Sequence, residues 1–317
     1  MASLARLDPS RTSGLRRRFE AEMAKRLRAL LRLIKESIIT NDCFGLDSSS
    51  TTVVGLQAAT RGQFAFERNT TDKVAAFLRW LRQMEAEGIL SVTIQQGTGT
   101  AIEIAWTDIY IESAYRQGIS RAMQEMKRAG IQLQLPLSDL PGRSAVSMAL
   151  TLPVHADRVG VLYTRTFEDL KTVMDAVNAD VRRKLIDGLT TSLSRGIAEG
   201  KNPMTVAKEM VKDVASGLDK IGLRRARLIA RTEIMRAHHQ ATIAEYRRAD
   251  EDMQVTVMAE FKATEDANVC PECEALDGKV FTLEEIEGII PVHPACRCTA
   301  LPSLPSNRAN LRHRRVA

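Results

Sequence analysis

Aromatic residues make up only 4% of the 317 residues. This is few for a surface that binds single strands by base stacking. The sequence has no apolar run of the roughly 18 residues that a membrane-spanning helix needs, and its N-terminus lacks the apolar region and cleavage site of a secretory signal. We therefore expect a soluble protein without a membrane partner that does not follow the usual secretory route.

Cysteine is also scarce, and its placement excludes an evenly dispersed disulfide scaffold. The chain has five cysteines, an odd number, and Cys43 stands alone while the other four lie between residues 268 and 302. One of the five histidines, His293, lies in the same stretch. This distribution favours folding in a reducing compartment. It also makes the C-terminal cluster the candidate functional site.

Positive charge is concentrated at the N-terminus. The net charge is +6, and residues 1–40 alone hold ten Arg or Lys against four acidic residues, so the other 277 residues are balanced. A basic segment on a neutral body is typical of a protein with an anionic partner, although a solvated helix face is an equally open interpretation. The candidate contact residues are Arg11, Arg16, Arg17, Arg18, Lys25, Arg26, Arg28 and Arg32.

Apolar spacings of three and four residues predict a mainly α fold. The predicted helices cover about 10–40, 71–87, 107–129, 165–199, 203–215 and 222–249. Alternation around Gly97 and Gly99 predicts a hairpin of strands 91–95 and 100–105, and residues 254–261 alternate like a strand. With the C-terminal cluster, the expected class is mainly α with a small α+β module.

Composition shifts predict a sequential domain organisation. We expect a loop with one short strand pair over 41–69 and a helix junction at Gly200 and Asn202. The predicted segments are a basic amphipathic helix (1–40), a helical domain with the hairpin (41–133), a linker (134–158), a second helical part (159–250), a metal-binding module (251–302) and a disordered basic tail (303–317).

The C-terminal cluster has the spacing of a zinc site. Cys270 and Cys273 form C-x2-C, and after nineteen residues His293, Cys296 and Cys298 form H-x2-C-x-C. Two short turns that each supply two ligands are the usual way to build a tetrahedral zinc site. Four of these five residues are the expected ligands, and His293 and Cys298 compete for the fourth position.

The residues between the two halves suit a compact module. Asp277-Gly278 is a tight-turn signal, and Thr282 to Glu285 is a capping box. A structural zinc site is favoured over a disulfide pair or a redox C-x-x-C. A catalytic zinc is disfavoured because such sites keep one position open. Arg297 is expected to offset thiolate charge or to lie on the surface.

The helix around Arg231, Thr232 and Glu233 allows two interpretations. A mixture of Arg and Glu either packs this helix onto the cysteine module, with Glu233 pairing with Arg236, or forms a basic ridge for DNA or another protein. His238 and His239 follow, but no nucleophile or carboxylate at a suitable spacing defines a catalytic triad with them.

These motifs together resemble one known family. The pattern comprises Ala230 to Glu233, Cys270, Cys273, Leu276, Gly278, His293, Pro294, Cys296, Arg297 and Cys298. Over about residues 185–302 the sequence resembles the Mu F-like minor head proteins, or head morphogenesis proteins, of tailed bacteriophages. Residues 159–250 are then the helical part of the family's domain.

The resemblance implies a non-enzymatic virion protein, made in the host cytoplasm and acting in head morphogenesis near the portal vertex. Portal protein and major capsid protein are the implied partners, double-stranded DNA is a further candidate, and several copies around the portal are expected. Two alternatives stay open. One is a zinc-dependent nuclease that uses Glu265, Asp266 and His293, and the other is a non-specific DNA-binding protein.

Overall fold

The computed structural model describes residues 8–41, 43, 73–87, 92–95, 101–131, 144–199 and 203–305. The helices are α1 (Ser13–Lys35), α2 (Lys73–Glu85), α3 (Asp108–Arg128), α4 (Ala145–Ala149), α5 (Pro153–Glu199), α6 (Pro203–Gly217), α7 (Arg224–Met253), α8 (Pro271–Leu276) and α9 (Leu283–Ile289). The strands are β1 (Val92–Gln95), β2 (Ala101–Ile104), β3 (Met258–Lys262), β4 (Val280–Phe281) and β5 (Thr299–Ser303). π-Helical turns follow α1 and α6, at Glu36–Thr40 and Leu218–Leu223. The predicted mainly α fold with a small α+β C-terminal part is confirmed.

Most predicted elements are present, but α5 begins about twelve residues earlier than predicted. Pro153 occupies its first position, where a missing N–H costs no hydrogen bond, so the helix can start there. Ser144 caps α4 by accepting a hydrogen bond from the Ser147 N–H at 3.2 Å. Within residues 144–158 of the expected linker, α4 and α5 together cover all but Ser144 and residues 150–152.

Other predictions lie on residues outside the described ranges. These are the loop with a strand pair at 44–69, the junction at Gly200 and Asn202, residues 134–143 of the linker and residues 306–317 of the tail. Ser303, the first residue of the predicted tail, is the last residue of β5 and is buried. The sequential domain boundaries stay a prediction.

The chain forms two compact units, and each is assembled from segments that are distant in sequence. The first unit comprises Met1–Glu20, Thr107–Thr166 and Leu228–Ala317, and the second comprises Ala21–Trp106 and Phe167–Arg227. Within the described ranges, no helix combines the length and the apolarity that crossing a bilayer requires.

The second unit is a helical assembly with an apolar interior. α1 contributes the stripe that the sequence predicted, and α2, α5 and α6 contribute their own buried faces. The buried side chains of this unit include Met23, Leu27, Ile34, Ile38, Phe77, Leu81, Met174, Leu185 and Met210. β1 and β2 form the predicted antiparallel hairpin, with Val92 opposite Ile104 and Gln95 opposite Ala101.

Glu85 is a buried carboxyl group in the second unit. It is 3% exposed, and its Oε2 accepts a hydrogen bond from Asn178 Nδ2 at 2.7 Å. Burial raises the pKa of Glu85 to about 7, although the Asn178 hydrogen bond acts in the opposite direction. Between pH 4.5 and about 7, the carboxyl group of Glu85 is therefore mostly protonated in the folded protein and mostly ionised in the unfolded chain.

Glu85→Gln is expected to remove a pH dependence of stability. Because the pKa of Glu85 is higher in the folded state, its contribution is fully present below pH 4.5 and is lost as pH rises towards 7, by about 3 kcal/mol. Urea unfolding between pH 4.5 and 7 should show a smaller decline for Glu85→Gln. The exposed Glu209→Gln should retain the wild-type decline, and equal slopes for all three proteins would contradict this account.

Helix α7 lies at the centre of the first unit, where it is buried on several sides. Its core residues include Ala237, His238, Ala241, Thr242 and Tyr246. α3 packs against it at Gly118, where an added Cβ would lie 2.3 Å from the His238 carbonyl oxygen and 2.7 Å from the Ala241 Cβ. The two helices approach this closely because Gly118 has no side chain.

Gly118→Ala is therefore expected to destabilise the protein although alanine favours helices. The new methyl group must push the backbone of α7 away, which typically costs about 1–3 kcal/mol. Gly160→Ala is the matched control, because it is exposed in α5 and its Cβ would meet nothing within 4 Å. That control should gain about 0.5–1 kcal/mol. Thermal unfolding should show a lower midpoint for Gly118→Ala and a higher midpoint for Gly160→Ala. A higher midpoint for both variants would contradict the close packing of α3 against α7.

A small antiparallel sheet completes the first unit. Its order is β4-β3-β5, with Phe261 opposite Ala300 and Ala259 opposite both Phe281 and Pro302. β3 is shorter than the predicted strand, and β5 was not predicted. The buried face of this sheet, α3, α7 and α9 share one apolar cluster with Cys273, Cys296 and Cys298. The cysteine residues are thus attached to a packed core.

Candidate metal centre

The first half of the cysteine cluster is the turn into α8. Cys270 is the N-cap residue, and its Sγ accepts a hydrogen bond from the Cys273 N–H at 3.3 Å. Pro271 occupies the first turn of the helix, where proline is well tolerated. Cys273 is 2% exposed, whereas Cys270 is partly exposed. The predicted turn at Asp277-Gly278 is present, with a φ of 72° at Gly278.

The second half is the chain between α9 and β5. The predicted capping box at α9 is present, because Thr282 and Glu285 each bond to the other's backbone N–H. After α9, the left-handed residue Ala295, with a φ of 62°, turns the chain between His293 and Cys296. Cys296 and Cys298 are each 1% exposed and flank Arg297.

All five predicted ligands come together around Cys273. The ligand atoms of Cys270, Cys273 and His293 lie within 4.8 Å of one another, and so do those of Cys273, Cys296 and Cys298. Cys273 Sγ lies 3.3 Å from His293 Nε2 and 3.9 Å from Cys296 Sγ. Ligands of a tetrahedral zinc ion are separated by about 3.5–3.8 Å, as follows from zinc–ligand distances of about 2.0–2.3 Å. The cluster can therefore hold a metal ion.

The neighbouring thiols shift one another's pKa values. A hydrogen bond from Cys298 lowers the pKa of Cys296 to about 5, and the same bond raises the pKa of Cys298 strongly. Burial raises the pKa of Cys273 to about 12, whereas the Cys273 N–H lowers the pKa of Cys270. The two shifts have opposite directions because both arise from the one hydrogen bond between these side chains.

His293 is oriented by a backbone carbonyl. Its Nδ1 lies 2.9 Å from the Pro294 oxygen, and because that oxygen can only accept, Nδ1 carries the hydrogen. In the neutral ring, Nε2 then presents its lone pair towards Cys273. Burial lowers the pKa of His293, but the Pro294 hydrogen bond and Cys296 outweigh it, so the pKa is raised overall.

Disulfide bonding, one of the alternatives from the sequence, is not observed among these residues. All five cysteines, Cys43 included, are free thiols in the structure. Cys43 lies in the second unit and takes no part in the cluster.

The Arg231-Thr232-Glu233 motif ties three segments of the first unit together. Arg231 binds Glu20 of α1 through two hydrogen bonds of 2.6 and 3.2 Å. Thr232 Oγ1 accepts a hydrogen bond from the Ala295 N–H at 3.1 Å, next to the cysteine cluster. Glu233 forms the expected pair with Arg236 at 3.2 Å. These contacts are those expected if the motif packs α7 against the cysteine module.

The predicted partner-binding residues of the N-terminal segment fall into two groups. Arg16 is buried and paired with Asp8 at 2.6 Å, and Arg26 pairs with Glu22 and lies 4.6 Å from the centre of the Trp106 ring. Arg11, Arg17, Arg18, Lys25, Arg28 and Arg32 are exposed. The exposed residues are available to an anionic partner, whereas Arg16 and Arg26 have structural contacts.

The residues considered for catalysis are engaged elsewhere. Asp266 forms a two-bond ion pair with Arg297, and Glu265 pairs with Lys262 at 2.8 Å. Arg297 therefore meets a carboxylate instead of offsetting thiolate charge alone. His238 and His239 are buried, and burial lowers their pKa values to about 3 and about 4. Both rings are neutral at pH 7 and have almost no exposed surface on which a substrate could bind.

A buried polar network in the first unit had no signal in the sequence. His155 Nδ1 lies 3.0 Å from the Tyr115 hydroxyl, and His155 Nε2 lies 3.0 Å from Glu245 Oε1. Glu245 Oε2 accepts a hydrogen bond from Arg248 at 2.7 Å. The side chains of His155 and Glu245 are fully buried. Their separation by 90 residues explains why no local motif marks the network.

Comparison with known proteins supports the resemblance that the motifs carry. Residues 187–301 match the family model described as Phage Mu protein F like protein. The resemblance predicted from the sequence is therefore confirmed for this segment, which contains α7 and the whole cysteine cluster. No curated protein and no solved structure matches the chain.

Proposed function

We propose that the protein is a minor head protein of a tailed bacteriophage that acts in head morphogenesis near the portal vertex. The observation that carries this proposal is the match of residues 187–301 to the Phage Mu protein F like family. The expected location is the virion, after synthesis in the host cytoplasm, with several copies around the portal. Portal protein and major capsid protein are the proposed partners, and the role is structural and not enzymatic.

The C-terminal module is proposed to contain one structural zinc ion. Cys270, Cys273, His293 and Cys296 are the proposed ligands, because Cys273 lies close to the others and the carbonyl of Pro294 directs the His293 Nε2 towards it. Cys298 would act as a thiol donor to Cys296. When bound, the zinc ion would connect α8 to the segment that precedes β5. This connection would stabilise the packing of the three-stranded sheet against α7.

A closed structural site fits this environment better than a catalytic one. Three of the five candidate ligands are almost fully buried, and they share the apolar cluster of the first unit. Catalytic zinc keeps one position open for water. The two carboxylates considered for a catalytic role, Asp266 and Glu265, are held in ion pairs by Arg297 and Lys262.

The assembly role can be tested by co-expressing the chain with the portal and major capsid proteins of its own phage. Co-purification with the portal, and particles that lack normal heads when the gene is deleted, are the expected results. Normal infectious heads without the protein would contradict the proposal. Cleavage of duplex DNA in the presence of Mg²⁺, Mn²⁺ or Zn²⁺ would instead support the nuclease alternative.

A further inference from the structure

Four arginines of the first unit line one cleft of about 400 Å³. Arg16 and Arg17 come from α1, Arg231 comes from α7, and Arg297 comes from the turn between Cys296 and Cys298. We call this site the arginine cleft. Glu20 is the single carboxylate in its lining, and Asn268 and Ser13 add uncharged polar groups. Side chains from three distant parts of the sequence thus place like charges around one space.

Three of these four arginines are paired with carboxylates, so the positive charges of the cleft outnumber the negative charges that neutralise them. Arg16 binds Asp8, Arg231 binds Glu20 and Arg297 binds Asp266. The Nε of Arg17 donates to the Ser13 carbonyl at 3.4 Å, and this neutral acceptor adds no negative charge. Four guanidinium groups against three carboxylates leave one positive charge. Each guanidinium also has five N–H donors, and two at most are used in each carboxylate pair.

Burial strengthens the electrostatic field in the cleft. Arg16 is only 6% exposed, so its charge is poorly screened by water. Its pKa is lowered, first by burial and then by the nearby charges of Arg297 and Arg231, against the opposing effect of Asp8. Ser13, the first residue of the 23-residue helix α1, also lines the cleft, so the positive end of the helix dipole lies there.

We propose that the arginine cleft binds a phosphate group, either free phosphate or a backbone phosphate of nucleic acid. Several guanidinium groups converging on one space offer the forked donors that a tetrahedral oxyanion accepts in pairs. Asp8 and Asp266, which are not part of the cleft lining, pair with Arg16 and Arg297, and Glu20, which is part of it, pairs with Arg231. This site is a further inference that does not depend on the role in head assembly.

The cleft also depends on the cysteine module. Arg297 lies between two cysteines, and the Ala295 N–H, which bonds to Thr232, belongs to another residue of the cleft lining. Phosphate binding is therefore expected in the full chain, in which both halves of the cysteine module are folded. Asn268, two residues before Cys270, contributes from the other half of the module.

The test compares two adjacent arginines of α1. Arg17 lines the cleft, Arg18 does not, and both are exposed, so Arg17→Gln and Arg18→Gln change the net charge equally. Neither substitution removes one of the three carboxylate pairs that hold the cleft together. Titration calorimetry of the full chain with inorganic phosphate, at constant ionic strength, should show saturable binding. Arg17→Gln should weaken it about tenfold, and Arg18→Gln should leave it nearly unchanged.

A second titration distinguishes the two sources of phosphate. If the ligand is nucleic acid, a duplex oligonucleotide should bind, inorganic phosphate should compete with it, and Arg17→Gln should weaken it more than Arg18→Gln. Equal DNA binding by both variants, with phosphate binding lost only in Arg17→Gln, would identify free phosphate. Absence of saturable phosphate binding, or equal weakening by both variants, overturns the proposal and leaves the metal content and the head-assembly role untouched.

Discussion

Replacing Cys273 by serine is expected to abolish metal binding and to unfold the C-terminal module. Cys273 belongs to both groups of ligand atoms, so no other thiol can take its place without rebuilding the cluster. A structural zinc ion contributes apparent binding free energies of about 10–16 kcal/mol, as large as the whole stability of a typical domain. Wild type should carry about one zinc per chain by elemental analysis, and Cys273→Ser should carry almost none.

The matched control for this experiment is Cys43→Ser. Cys43 is also a free cysteine but lies outside the cluster, so this variant should retain about one zinc per chain. Adding a chelator to wild type should reproduce the Cys273→Ser state, with loss of protected amides in β3 and β5. Wild type purified under reducing conditions without any zinc would disprove the metal site.

The fourth ligand can be decided with the same measurement. His293→Ala should lose zinc, whereas Cys298→Ser should keep about one zinc per chain, because the hydroxyl can still donate a hydrogen bond to Cys296. The reverse result would show that Cys298, and not His293, completes the set.

Removing the Glu245 carboxylate should cost about 3–5 kcal/mol of folding stability. In Glu245→Ala, Arg248 loses its buried partner and keeps only the exposed Asp252 at 3.6 Å, and His155 loses the group on its Nε2 side. A buried charge without its partner is far more costly than the modest net value of an intact pair. Urea unfolding followed by circular dichroism should show the loss as a lower midpoint.

Glu251→Ala is the control for that effect. Glu251 lies on the same helix, is exposed, and should change stability by no more than about 0.5 kcal/mol. If Glu245→Ala costs as little as Glu251→Ala, the network around His155 does not stabilise the first unit.

The sequence predicted the features that depend on residues close together in the chain. The apolar stripe of α1, the turn at Asp277-Gly278, the capping box at Thr282 and the hairpin of β1 and β2 are where the pattern predicted them. Each depends on residues a few positions apart, so spacing alone carries the information. The five clustered ligands were predicted for the same reason, because two short turns supply them.

The sequence did not predict which residues from distant parts of the chain contact one another. Arg16 and Arg17 are neighbours in one basic run, yet Arg16 is buried against Asp8 while Arg17 is exposed. The helical period predicts which residues share a face, but not what covers that face. β5 was missed because its pairing with β3 joins residues about 40 positions apart.

The order of residues determined the helices, the turns and the two halves of the metal site, since these arise from hydrogen bonds and spacings within a few residues. The tertiary structure decided that Cys273 lies next to His293, that Glu245 meets His155, and that Arg16, Arg17, Arg231 and Arg297 line one cleft. The physical reason is that these contacts require packing of helices from distant parts of the chain. That packing is driven by the burial of apolar helix faces. An apolar face requires another helix or strand to cover it, but the sequence pattern does not determine which element does so.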